Sequence, residues 1–261
     1  MFVESRGTGP ALVMIHGWAM HSAIFAPLVE RLEGEFTLHL VDLPGHGRSR
    51  DDHRPLHLPA LADALVEQLP AALWLGWSLG GLVALQVAQR HPYRLRGLAM
   101  ICASPRFVNA ADWPDGMAPA VFSGFARELE RDYRGTLDRF LALEAQGSDR
   151  MREELRLLRD QVYAYGEPDS RVLCEGLQLL EDSDLREALP TLAMPSLWLA
   201  GRRDRLVSPL AMRAAATQAP NAAYVEISSG GHAPFLTHAD EVVSALRQWA
   251  ARALAPEALA P

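Results

Sequence analysis

The chain contains no lysine; all 25 of its basic residues are arginine. Chemistry that needs a lysine amine, whether a Schiff base or the phosphate grip of a P-loop, is therefore excluded. Acidic residues outnumber basic ones, 32 to 25, for a formal net charge of −7. A dedicated nucleic-acid binder needs a basic footprint to displace counterions from phosphate, so that function is set aside as well. Cysteine is scarce: Cys102 and Cys174 lie in apolar surroundings at no metal or redox spacing and read as core thiols of a reducing compartment. No run approaches the roughly 18 apolar residues of a membrane helix. Residues 1–7 lack the basic start, apolar stretch and small-residue cleavage site of a signal peptide. The expectation is a monomeric, cytoplasmic protein with neither membrane nor nucleic-acid partners.

What is present is an ordinary globular balance, 49% hydrophobic and 22% charged over 261 residues. That length is long for one domain, yet common for enzymes built on one helix-covered sheet. Short β-rich runs at 12–16, 36–42, 72–77, 95–102, 196–200 and 223–227 alternate with helical patterns at 22–32, 58–69, 79–90, 209–218 and 239–254. This alternation predicts an α/β fold with a mostly parallel sheet covered on both faces. From about 106 to 185 the alternation stops, and only amphipathic helical series remain, such as Val121, Phe125, Leu129 and Met151, Leu155, Leu158, Val162. The expected organisation is a core in two parts, 1–105 and 186–254. An all-helical lid, 106–185, is inserted before the last two strands, and 255–261 forms a disordered Ala/Pro-rich tail.

The segment Leu75-Gly76-Trp77-Ser78-Leu79-Gly80 runs from a strand through Gly-x-Ser-x-Gly straight into a helix. A serine at so sharp a turn needs small residues two before and two after it, and Gly76 and Gly80 supply them. The turn lifts the Ser78 hydroxyl above the sheet and aims a helix N-terminus at developing negative charge. A plain helix-capping serine would need neither the glycines nor the strand. A serine nucleophile requires a base and an orienting acid, which in this architecture follow in the order Ser, Asp or Glu, His. Of nine histidines, His232 alone follows the last strand closely, in Ser229-Gly230-Gly231-His232, while His238 suits the surface start of the last helix. Asp204, just beyond the preceding strand, is the matching acid; Asp42 precedes the serine and reads as structural.

The oxyanion donors are expected from the backbone N–H groups of Leu79 and of Trp18, in the His16-Gly17-Trp18 turn. The His16 side chain is expected to bond its own loop. Gly45-His46-Gly47 lacks the third glycine and the acidic partner of a dinucleotide fingerprint, and no His-Glu-x-x-His or similar metal spacing occurs. No cofactor and no metal are expected.

These residues resemble the α/β-hydrolase superfamily and, more narrowly, the pimeloyl-[acyl-carrier protein] methyl ester esterases of biotin synthesis. The narrower likeness rests on Ile15-His16-Gly17-Trp18, on 36–45, on Trp74 through Ala84, on Arg139-Phe140-Leu141-Ala142-Leu143 and on His232-Ala233-Pro234-Phe235. It implies a serine carboxylesterase that removes the methyl group from a carrier-bound pimeloyl ester. By position it implies substrate contacts at Trp18, Ser78, Leu79, Phe140, Leu141, Ala142, Leu143, Glu144 and His232, with Glu144 departing from the glutamine common in the family. It also implies that Arg139, Arg152 and Arg156 dock the acidic carrier protein, while Gly135 stands where another arginine is expected. Arg159 continues the Arg152, Arg156 spacing along one helix edge. A general esterase of free short-chain esters, or a non-catalytic binding protein on the same scaffold, are the alternatives.

Overall fold

In the computed structural model, which describes residues 1–255, one sheet of seven strands runs in the order β1-β3-β2-β4-β5-β6-β7. The strands are β1 (Phe2–Arg6), β2 (Ala11–Ile15), β3 (Thr37–Asp42), β4 (Ala72–Trp77), β5 (Leu95–Ile101), β6 (Ser196–Gly201) and β7 (Ala222–Ile227). Six fall where the sequence predicts strands. The seventh, β1, was not expected: its FVESR run is short, half-exposed and charged, and gives no apolar alternation to read. It pairs antiparallel with β3, Phe2 opposite Asp42, whereas every other pair is parallel. Strands β4 and β6 are buried at every residue, so they read as continuous apolar runs, as central parallel strands must.

Helices α1 (Ala26–Leu32), α2 (Leu58–Gln68) and α3 (Leu79–Arg90) precede β3, β4 and β5. The helix expected over 22–32 is split into a 3-10 turn, Ser22–Phe25, and α1. Pro27, lacking an N–H, fits the first turn of α1 and not the interior of a longer helix. Between β5 and β6 lie α4 (Ala120–Leu129), α5 (Tyr133–Ala145), α6 (Met151–Val162) and α7 (Ser170–Asp182). Helix α8 (Pro209–Gln218), the short α9 (Pro234–Thr237) and α10 (Ala239–Ala253) complete the chain. The expected tail lies, beyond Ala255, outside the described residues.

The insertion is tied to the sheet by aromatic packing. Phe140 of α5 lies on the Trp18 ring at 4.3 Å between centroids and on Phe125 of α4 at 5.2 Å. The Trp18 indole N–H donates to the Leu173 carbonyl of α7 at 2.8 Å. On α6 the buried face differs from the expected apolar series. Met151 is 44% exposed, and Glu154, Leu158 and Val162 face inward.

The loops beneath the insertion are fixed by buried polar groups. Leu43 N–H donates to His16 Nε2 at 3.0 Å, which leaves His16 Nδ1 to donate to the Gly17 carbonyl at 2.8 Å. The ring thus bridges the turns after β2 and β3. Asp42 accepts from the Ser22 and Arg48 N–H groups and from the Arg48 guanidinium. His46 donates from Nδ1 to the Pro44 carbonyl and is fully buried. Burial pushes His16 down to about 3 and His46 to about 4. A histidine whose folded pKa lies below its unfolded value takes up a proton on unfolding, so stability falls as pH drops from about 6.5 toward the folded pKa. His46→Gln removes one such group. Compared by urea unfolding, wild type should lose about 1.5 kcal/mol more than this variant between pH 6.5 and 5.

Candidate active site

Ser78, Trp18, Asp204 and His232 all follow the carboxyl ends of parallel strands, β4, β2, β6 and β7 respectively. That edge is where a doubly covered sheet leaves a crevice. Ser78 sits between β4 and α3 at φ 55, ψ −121, a conformation few non-glycine residues adopt. The backbone crowds it closely. A Cβ on Gly76 would lie 2.3 Å from the Gly80 carbonyl oxygen, and one on Gly80 would lie 2.2 Å from that of Ile15. Both glycines are therefore required by packing as well as by the turn.

His232 Nε2 lies 2.8 Å from the Ser78 hydroxyl, and His232 Nδ1 lies 2.8 Å from Asp204 Oδ2. Asp204 can only accept as a carboxylate, so Nδ1 carries the proton and Nε2 is left to accept from the serine O–H. The other carboxylate oxygen, Oδ1, accepts from the Leu206 and Val207 N–H groups at 2.8 and 2.9 Å, which fixes the acid's orientation. All three side chains are buried; Ser78 is 1% exposed and His232 0%. The structure thus joins the three residues expected from the sequence into one hydrogen-bonded relay. Leu79 is the first residue of α3, where an N–H has no intrahelical acceptor, and Trp18 lies in the tight turn after β2 beside Ala19 at φ 60.

The remaining expected contacts divide. Phe140, Leu141 and Glu144 on α5 are buried, with Phe140 against Trp18, while Ala142 and Leu143 are half-buried. Among the arginines, Arg139 pairs with Glu128 and Asp132, Arg156 with Asp160, and Arg159 with Asp138. Arg152 makes no ion pair among the described residues and is exposed. His238, expected at the surface, is instead largely enclosed and pairs with Asp149 at 3.3 Å. Asp42 is structural, as expected.

Several neighbours of the relay went unread in the sequence. The Trp77 indole N–H donates to the His232 carbonyl at 2.8 Å, and its ring packs on His232 and Phe235. Cys102, at φ 44, comes within 4.8 Å of the Asp204 and His232 ligand atoms. Such a trio can hold a metal in principle, but here the imidazole nitrogens are engaged by Asp204 and Ser78. Burial, then the Asp204 charge, holds the Cys102 thiol well above its usual range. Glu154 was hidden by an apolar series read one helical position away.

With this geometry in place, the similarities of the chain are informative. The profile of the alpha/beta hydrolase fold family matches residues 10–239. A protein from Stenotrophomonas maltophilia described as a pimeloyl-[acyl-carrier protein] methyl ester esterase is 59% identical over 256 residues, 98% of each chain. One so described from Xanthomonas campestris pv. campestris is 57% identical over 251 residues, 96% of this chain and 99% of that one. Among solved structures, an esterase from Exiguobacterium antarcticum superposes with a TM-score of 0.83 at 22% identity, covering 95% of this chain and 94% of the other. At that identity the likeness speaks for the fold alone. The enol-lactonase from Burkholderia xenovorans does the same at a TM-score of 0.82. The chain belongs to the α/β-hydrolase fold family, in the group formed by the pimeloyl-[acyl-carrier protein] methyl ester esterases.

Proposed function

We propose that this carboxylic ester hydrolase cleaves the methyl ester of a pimeloyl chain held on an acyl-carrier protein, through Ser78, His232 and Asp204. The observation that carries this reading is the buried Asp204–His232–Ser78 relay, at 2.8 Å for each link, in a chain 59% identical to an esterase of that description. Ser78 Oγ attacks the ester carbonyl as its proton passes to His232 Nε2. The Trp18 and Leu79 N–H groups receive the negative charge on the carbonyl oxygen, and Asp204 stabilises the imidazolium. The intermediate collapses, the C–O bond to methoxide breaks, and methoxide takes the proton from His232 to leave as methanol. Water then gives its proton to His232 and attacks the acyl-enzyme; Ser78 leaves with that proton and the free carboxylic acid is released.

Methanol offers little surface for recognition, so selectivity falls to the acyl chain and its carrier. Phe140, Leu141, Ala142 and Leu143 supply apolar surface beside Trp18 for the methylenes. Glu144 is pushed well above the usual carboxylate range by burial, then by Glu154 and Asp204. That upward shift lessens the repulsion that a carboxylate there would exert on the product's acid. The insertion of α4–α7 acts as a lid over the relay. On its outer face Arg139, Arg152, Arg156 and Arg159 offer positive charge to an acidic carrier. Three of these already satisfy acids of the insertion itself, so Arg152 contributes the most unshared charge.

Two outcomes test this reading. Ser78→Ala should lower ester hydrolysis at least ~10³-fold with unchanged circular dichroism, and Asp204→Asn should lower kcat by about 10⁴, since the amide favours the wrong imidazole tautomer. A loss of only a few-fold for either removes that residue from the relay. For the carrier, Arg152→Glu should raise KM for the carrier-bound ester about threefold to tenfold at low salt and leave dimethyl pimelate unaffected. The difference should shrink at high ionic strength, as screening weakens a rim charge. Equal KM values for variant and wild type on the carrier-bound ester would remove Arg152 from docking.

A further inference from the structure

The loop that carries His232 is held at several backbone positions, and three of the holds come from the helical insertion, the first being the Asp149 N–H, which donates to the Ser229 carbonyl at 3.3 Å. From the core, the Trp77 indole donates to the His232 carbonyl, and the Cys102 thiol faces the Gly231 carbonyl at 3.7 Å. From the insertion, the Glu144 carbonyl at the end of α5 accepts the His232 N–H at 3.3 Å. Next along the loop, Glu154 Oε1, from the first turn of α6, accepts the Ala233 N–H at 3.2 Å. A side chain that would otherwise belong in solvent thus reaches one residue from the general base.

Glu154 is an expensive residue to bury. It is 0% exposed, its Oε2 has no hydrogen-bond partner, and neither oxygen of Glu144 has one either. No ion pair reaches either carboxyl among the described residues. The titratable groups that face it are Glu144 from α5, Asp149 from the loop before α6, Asp204 and Cys102; Asp149 is itself paired with His238. Acids predominate, so the uncharged carboxyl is the stable form. Burial raises Glu154 to about 8, opposed by the Ser148 hydroxyl and the Ala233 N–H and reinforced by Asp204 and Asp149. A leucine would fill the same volume with no desolvation cost. What the acid adds is its bond to the Ala233 N–H.

We propose that Glu154 is a positioning residue for the general base: the insertion, through this carboxyl, holds the His232 loop so that Nε2 stays on the Ser78 hydroxyl. The inference rests on the serine-hydrolase reading above. Because Glu154 rides on α6, displacement of the insertion to admit an ester removes the hold, and closure over bound ester restores it. The relay is then complete only beneath a closed insertion, an arrangement that ties general-base geometry to occupancy. Ionisation of Glu154 strengthens the bond to the Ala233 N–H but places an unpaired charge in the enclosed site, so it opposes closure. The folded pKa of Glu154 is raised above the unfolded value of 4.5, so its contribution to the closed state is full below pH 4.5 and is lost as pH rises through about 8.

The test uses a small soluble ester and three full-length variants, Glu154→Gln, Glu154→Leu and Ser78→Ala. Glu154→Gln keeps an acceptor and cannot ionise. It should retain wild-type kcat at pH 7 while losing the fall in kcat expected of wild type as pH rises through about 8. Glu154→Leu should lower kcat about tenfold to a hundredfold with KM little changed, the signature of a misplaced catalytic group. An unaltered kcat in Glu154→Leu, or the same alkaline fall in Glu154→Gln as in wild type, overturns the proposal. Should the leucine variant fail to fold, the pH profile of Glu154→Gln decides alone. An active Ser78→Ala overturns the nucleophile reading instead, so the two failures are told apart.

Discussion

The backbone of Ser78 is the constraint on which the site depends. At φ 55 it turns β4 into α3 within a single residue, which presents the hydroxyl beyond the sheet's carboxyl edge. Such a conformation costs of order 1–3 kcal/mol and persists only where its surroundings leave no alternative. Here the surroundings are fully buried β4 and a helix whose first ten residues are buried. The Gly76 and Gly80 backbones close so tightly that no side chain fits between them. Central burial thus secures a strained turn, and the strained turn projects the hydroxyl toward His232.

The second level of order is the convergence of loops. Asp204 and His232 arrive from neighbouring strands, β6 and β7, whose parallel pairing from Ser196–Ala222 to Gly201–Ile227 sets their loops side by side. The His16 ring links the turn after β2 to the turn after β3 and so holds the start of the Trp18 segment. Each loop is therefore located by a different interaction: sheet register, a neutral imidazole, an indole N–H. The loops are also joined to one another: the Arg203 N–H beside Asp204 donates to the Gly230 carbonyl near His232 at 3.0 Å.

Legibility in the sequence followed the type of signal. Ser78, Asp204 and His232 were readable because elbow glycines, chain order and strand ends are local or topological cues. The six central and flanking parallel strands were readable because burial on both faces makes apolar runs. β1 was not, since a five-residue edge strand needs only half a face buried and carries Glu4 and Arg6 freely. Trp77 was quoted within the elbow motif, yet its indole bond to His232 joins residues 155 apart and leaves no local trace. Glu154 shows a different failure. Helical periodicity assigns a face by apolar content, and Met151 satisfied the pattern while sitting outside; a carboxyl four residues before Leu158 was the signal that the true face held an acid. Arg139, Arg152 and Arg156 came from the resemblance and Arg159 from spacing along α6, but neither cue says anything of the acids that pair with them, as Asp138 does with Arg159 across helices.

The enclosure of Ser78 and His232 carries a thermodynamic consequence. With both groups shut away in this conformation, an ester needs an opening to enter, and its apparent dissociation constant is the intrinsic value divided by the fraction of open molecules. A partner that touches only the outside of α5 and α6 can therefore tighten ester binding without contributing a single contact to the ester, provided it grips the open form more strongly. Free and tethered esters with identical acyl groups would then differ in affinity through the population of receptive molecules alone.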